Sequence, residues 1–158
     1  VTVAAYSYVI AHKQTMINPD EAMLAGLLHD IGKYYILTKT EDFPQLFDDP
    51  ETLDAILRDW HTAVGHSILD AWNFSEEVAV SANEHESLDR DHVGQADMTD
   101  VVLVANLFSH YQGIEQLSRI DWQGIPALRR LNLTLEAAFE VIQDSQEEMQ
   151  AIINALES

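Results

Sequence analysis

Along almost every stretch of this 158-residue chain the apolar residues recur at steps of three and four, and nowhere do they alternate at period two between hairpin turns. Recurrence of that kind lays one apolar stripe down an α-helix, whereas a half-buried strand needs alternation. The predicted fold class is therefore all-α, a helical bundle. Hydrophobic residues make up 47% of the sequence, enough for one sizeable core, and the length sets the expectation of a single domain over residues 1–158. There is no cysteine, so disulfides and thiolate metal sites are excluded, and any metal would need His, Asp, Glu or Asn. A reducing, cytoplasmic setting fits that usage. No apolar run approaches the roughly 20 residues that span a bilayer, and the start lacks the basic region of a signal peptide, so no membrane partner is expected.

Eight Lys and Arg against 27 Asp and Glu give a formal charge of −19. Such a surface repels phosphate backbones, which disfavours direct nucleic-acid binding. It reads as a solvated, solubilising exterior. Among the few cations, Lys33 and the pair Arg129 and Arg130 stand out as groups that could neutralise a phosphate.

The opening stretch Val1 to Ala11 is apolar at helical spacing and starts without a cap, which sets the expectation of a missing N-terminal segment. Asn18, Pro19, Asp20 and Glu21 announce a second helix through Leu28. Gly32 is expected to interrupt it, with helix resuming over residues 33–38. Residues 41–50, with two prolines, read as a loop holding one short turn. From Glu51 to Asn73, Ile56, Leu57, Trp60, Val64, Ile68, Leu69 and Trp72 keep helical steps. Ser75 caps a helix to about Glu86, and Thr99 is expected to cap another to Gly113. One long final helix follows Thr134. Trp60, Trp72 and Trp122 read as core or interface anchors.

The chemistry concentrates in Leu27-Leu-His-Asp-Ile-Gly-Lys33. Neighbouring side chains on a helix diverge by roughly 100°, so a His and an Asp side by side converge on one ion only when it lies beyond the helix end. The imidazole offers a neutral nitrogen and the carboxylate a charge, a pair suited to Mg, Mn, Fe or Zn. The plainer alternative is that His29 and Asp30 bond each other and cap helix ends. His61 offers a further ligand, though packing beside Gly65, which would let a second helix approach, explains it nearly as well. His85 stands between two acids, favouring a proton or a metal on its ring. His12, His66, His92 and His110 fall outside any motif and read as surface or packing residues.

Residues 22–33, Ala-Met-Leu-Ala-Gly-Leu-Leu-His-Asp-Ile-Gly-Lys, resemble the signature of HD-superfamily proteins, and the HDOD branch matches better. His61-Thr-Ala-Val-Gly65 with Trp72 is similar to its His, Gly and Trp pattern. Glu84-His-Glu86 stands where that family has paired histidines, residues 102–107 resemble its next helix, and residues 128–133 its C-terminal part. The resemblance covers nearly the whole chain and implies an HD-like helical domain. Three departures matter. The further metal-binding His of catalytic members would fall just before Val1, and His12 lies too near His29 to replace it. Asn106 stands where many have a metal-binding Asp, and Glu84 replaces the first paired His. The resemblance then implies a signalling or regulatory domain with a degenerate pocket of His29, Asp30, His61 and His85, to which Glu84 and Asn106 could add. A divalent metal (Fe, Mn, Mg or Zn), a partner protein or signalling domain and a small phosphorylated ligand are the implied associates. The alternative is a metal-dependent phosphohydrolase or phosphodiesterase in which Asp30 and Lys33 serve catalysis. A helical adaptor without any pocket is a third reading.

Overall fold

Residues 98 to 108 are buried one after another, and a helix that is apolar around its whole circumference has to run through the middle of a fold. The computed structural model, which describes residues 1–46, 48–144 and 146–158, is organised around that helix. In chain order the elements are α1 (Thr2–Gln14), α2 (Pro19–Leu28), α3 (Ile31–Lys39), a 3-10 turn (Pro44–Leu46), α4 (Pro50–Ala71), α5 (Glu76–Glu84), α6 (Met98–Ser109), α7 (Gly113–Leu117), α8 (Pro126–Arg130), α9 (Leu135–Asp144) and α10 (Gln146–Glu157). No strand occurs among the described residues, and no helix among them is long and apolar enough to cross a membrane. The central α6 packs against α1, α2, α5 and α8, and α1 also meets α2 and α10. Helix α3 packs on α4, α4 on α5, and α2 also meets α5.

The local signals that start these helices act as capping chemistry dictates. Asn18 Oδ1 accepts from the Asp20 N–H at 2.9 Å, with Pro19 at the first helical position, and Ser75 Oγ accepts from the Val78 N–H. The start of α6 differs from expectation. Asp97, not Thr99, caps it, because Asp97 and Asp100 form a reciprocal capping box in which each carboxylate takes the other's backbone N–H. The helix ends at Ser109, and Gly113 opens α7 with a φ of +75° instead of closing α6. The final helical region is described as α9 and α10 on either side of Ser145, which lies outside the described residues, so the expected single long helix is neither joined nor divided there. The break between α2 and α3 falls at His29 and Asp30, ahead of Gly32, which lies inside α3.

Helix α4 is covered on one side only. Its buried line is His61, Gly65 and Leu69, one residue per turn, while Trp60 and Trp72 are 60% and 59% exposed and anchor no core. Trp122, by contrast, is half-buried against Phe108. The approach of α3 to α4 depends on Gly32. A Cβ there would lie 1.9 Å from the His61 carbonyl oxygen, whereas one at Gly65 would meet only ordinary contacts at 3.5 Å and beyond. The residue that permits the close approach is thus Gly32, and the expectation for Gly65 is corrected accordingly.

Two substitutions separate these roles. Gly32→Ala should lower unfolding stability by about 3 kcal/mol or more, since the obstacle is backbone. Gly65→Ala should be neutral or gain up to about 1 kcal/mol from helix propensity. Urea denaturation of the two variants checks both.

Candidate metal centre

Four helix ends and faces deliver one cluster. His29 closes α2, Asp30 occupies the junction before α3, His61 sits mid-way along the buried line of α4, and His85 and Glu86 follow α5. His61 and His85 are 1% and 0% exposed at the side chain, whereas Glu86 is 47% exposed and marks the open side. All three imidazoles are held in the same manner. Nδ1 of His29 lies 2.7 Å from the Gly26 carbonyl, that of His61 2.7 Å from Leu57, and that of His85 2.9 Å from Ala82. A carbonyl only accepts, so each Nδ1 carries the proton and donates it, which leaves the Nε2 atoms to face inward.

What they face is carboxylate. His29 Nε2 stands 3.2 Å from Asp30 Oδ2, and His85 Nε2 and His61 Nε2 stand 3.3 and 3.7 Å from Asp30 Oδ1. Glu86 Oε1 is 3.5 Å from His61 and 3.7 Å from His85. Lys33 Nζ donates to Asp30 Oδ2 at 3.1 Å and reaches Glu86 at 3.9 Å. Asp30 Oδ1, His61 Nε2 and His85 Nε2 are buried without a hydrogen-bond partner. Burial alone would raise the Asp30 carboxyl. The nearby His29 and His85 rings and the Lys33 ammonium outweigh it and hold the group far below the usual carboxylate range. Lone pairs of three rings thus oppose two carboxylates, an arrangement that requires positive charge between them, either protons on the rings or a cation. His29, Asp30 and His85, and likewise His61, His85 and Glu86, place one ligand atom each within 4.8 Å of one another. The donors are nitrogen and carboxylate oxygen, the set that suits a divalent ion of the hard or borderline kind.

The structure thus brings His29, Asp30, His61 and His85 together, with Lys33 at the rim. It does not bring Glu84. Arg90 Nε takes Glu84 Oε2 at 2.5 Å, while its terminal nitrogens hold Asp97 at 2.6 Å and the fully buried Asp100 at 3.1 Å. The acid that does join the cluster is Glu86, one residue past His85, which sequence reading left unassigned. The signal that would have separated the two is Arg90, a lone cation six residues beyond Glu84 and amid acids. Asn106 is buried in α6, and no described hydrogen bond ties its side chain to the cluster. His92, expected as a surface or packing residue, belongs to the Arg90 network through Nε2, 2.7 Å from Asp100 Oδ2.

The all-helical fold converges three histidines and two acids at the ends of α2 and α5 and on α4, a cluster that could hold a metal ion. The signature of the HDOD domain matches residues 1–88, more than half of the chain, and the chain belongs to the HDOD family. Its structure is similar to that of a provisionally named metal-dependent phosphohydrolase from Shewanella amazonensis SB2B, at 22% sequence identity and a TM-score of 0.60. The likeness covers 91% of this chain and 56% of the other, so the chain spans little more than half of that protein's length. At this identity the likeness establishes the fold. No curated protein matches the chain.

The Arg90 network generates a pH-dependent prediction. The hydrogen bond to Asp100 raises the His92 pKa above its ordinary 6.5. A histidine raised on folding stabilises the fold at pH below its unfolded value, and that contribution is lost as pH climbs through the folded value. The stability gap between the wild type and His92→Gln should therefore be widest at about pH 6 and close towards about pH 9. Denaturation of both proteins across that range measures it.

Proposed function

We propose that this chain is a regulatory HDOD domain whose His–Asp cluster holds one divalent cation as a cross-link between helices, and that it acts by contact with another domain or protein rather than by hydrolysis. The observation that carries this reading is the set of inward-facing atoms without partners, Asp30 Oδ1, His61 Nε2 and His85 Nε2. Each is buried, and each belongs to a side chain whose other polar atom is fixed elsewhere. His29, Asp30, His61, His85 and Glu86 would hold the ion. Three imidazoles in that set favour Mn, Fe or Zn over Mg.

A non-hydrolytic role is supported by the surroundings of the cluster. The Arg90 network withdraws Glu84 from the ligand set, and Asn106 adds no charge. One observation favours the second reading, a metal-dependent phosphohydrolase. Lys33 is 37% exposed beside Asp30, placed where it could hold a phosphate. In that case a bound ion would supply Lewis acidity to a phosphoryl oxygen.

Metal content, melting, metal affinity and turnover test the proposal. Protein purified without a His tag should carry about one equivalent of divalent metal by elemental analysis, and chelation should lower its melting temperature by about 5 to 10 °C, restored by added metal. Glu86→Gln should weaken metal affinity about tenfold, with Glu84→Gln leaving it unchanged. Absence of metal together with a melting curve indifferent to EDTA would defeat the cation reading. Turnover of generic phosphodiesters or cyclic dinucleotides should be negligible with Mn, Fe or Mg added. Metal-dependent turnover that disappears in Asp30→Asn would establish the phosphohydrolase instead.

A further inference from the structure

Away from the cluster, the end of α1, the turn into α2, the segment before α6 and the end of α8 enclose a cleft of about 550 Å³. Its wall includes Lys13, Arg130 and the side-chain amides of Gln14, Gln95 and Asn132, and no carboxylate lines it. In a chain with 27 acids and eight Lys and Arg, that selection of residues is distinctive. Of the four other best-formed clefts, three carry Asp or Glu and the fourth carries no charged residue. Arg130 donates through Nη2 to the Asp91 carboxylate and the His92 carbonyl, while its Nε and Nη1 are buried with no acceptor. The guanidinium is thus engaged through Nη2, and its other two nitrogens are closed off from solvent; the cleft combines the charges of Lys13 and Arg130 with three residues, Gln14, Gln95 and Asn132, whose amides can both donate and accept. Ile17, Met16 and Ala96 add apolar surface.

We propose that this cleft binds a small phosphorylated metabolite of mononucleotide size and serves as an effector site. A phosphate dianion complements the Lys13 point charge and the positive charge of Arg130, which Asp91 holds until an anion displaces it. The volume exceeds what inorganic phosphate fills, and the amides and apolar wall suit an uncharged sugar or base beyond it. The site is distinct from the cluster. Ile17 precedes the N-terminal end of α2 and His29 closes its other end, ten helical residues or about 15 Å away. One loop nevertheless joins them. Glu86, at the cluster, begins the segment that ends in Gln95 and Ala96 at the cleft, and Arg130 grips that segment midway at Asp91 and His92. A phosphate drawn to Arg130 competes with Asp91 and loosens the loop that carries Glu86. This transmission rests on the metal reading given above; the binding does not.

Isothermal titration calorimetry of the whole chain in EDTA, with adenosine 5′-monophosphate, ribose 5-phosphate and inorganic phosphate as probes, tests the site. At least one of the two organic phosphates should bind saturably and about tenfold tighter than inorganic phosphate. Lys13→Glu, at an exposed position that leaves the fold intact, should weaken it at least about tenfold, while Asp30→Asn leaves it unchanged. Hydrogen exchange of residues 87–94 should quicken on binding. No saturable binding up to about 10 mM overturns the proposal, as does binding indifferent to Lys13→Glu or lost in Asp30→Asn. Binding without any change in loop exchange overturns the effector role. Failure of the metal reading would show separately, as metal-free protein that still binds the organic phosphate.

Discussion

Each of the three buried or half-buried imidazoles gives its Nδ1 proton to a carbonyl three or four residues earlier in the chain, and the organisation of the cluster depends on this repeated bond. Because the partner is local, the ring orientation is set as soon as the helix end forms, and it does not require the other helices. What tertiary structure adds is the meeting of the rings. That depends on α3 lying against α4 with a glycine hydrogen where any other residue would strike the His61 carbonyl. Local bonds aim the donors, and one bare Cα lets them converge.

A second polar centre stabilises the far side of α5. Arg90 draws Glu84, Asp97 and Asp100 to one guanidinium, Asp97 and Asp100 cap α6, and His92 closes the set. A carboxylate as buried as Asp100 is tolerable only when paired and hydrogen-bonded on both oxygens, as it is here. The outcome divides the acids around His85 into two groups with different work. Glu84 belongs to the loop anchor and Glu86 to the cluster.

The all-helical class was legible through periodicity, His29 and Asp30 through a contiguous motif, and His61 and His85 through the order in which the later family-like segments follow it. The misreadings share one cause, which is that each depended on which side chains meet in the folded chain rather than on spacing alone. Glu84 and Glu86 both flank His85, and roughly 200° of helical rotation separates them; only the position of Arg90 decides which one turns inward. Trp60 and Trp72 keep the spacing of buried residues, yet α4 has neighbours on one side alone. Thr99 is a good cap, but an Asp two residues earlier with an Asp three residues beyond it is a better one.

The donors of the cluster span residues 29 to 86, contributed by α2, the α2–α3 junction, α4 and the end of α5, and two of them are fully enclosed. The helices that supply them pack chiefly as neighbours in the chain, α3 on α4 and α4 on α5, contacts that form early because little loop entropy opposes them. No pair of adjacent ligands can therefore nucleate folding around an ion, as short metal-binding loops do. Were the proposed cation bound, the bundle would assemble first and the ion would enter last, through the side where Glu86 meets solvent. The same enclosure then governs departure. On the proposed reading, an ion held behind His61 and His85 would leave at the pace at which the α5 end opens, so its occupancy would follow the history of the molecule as much as the free metal around it.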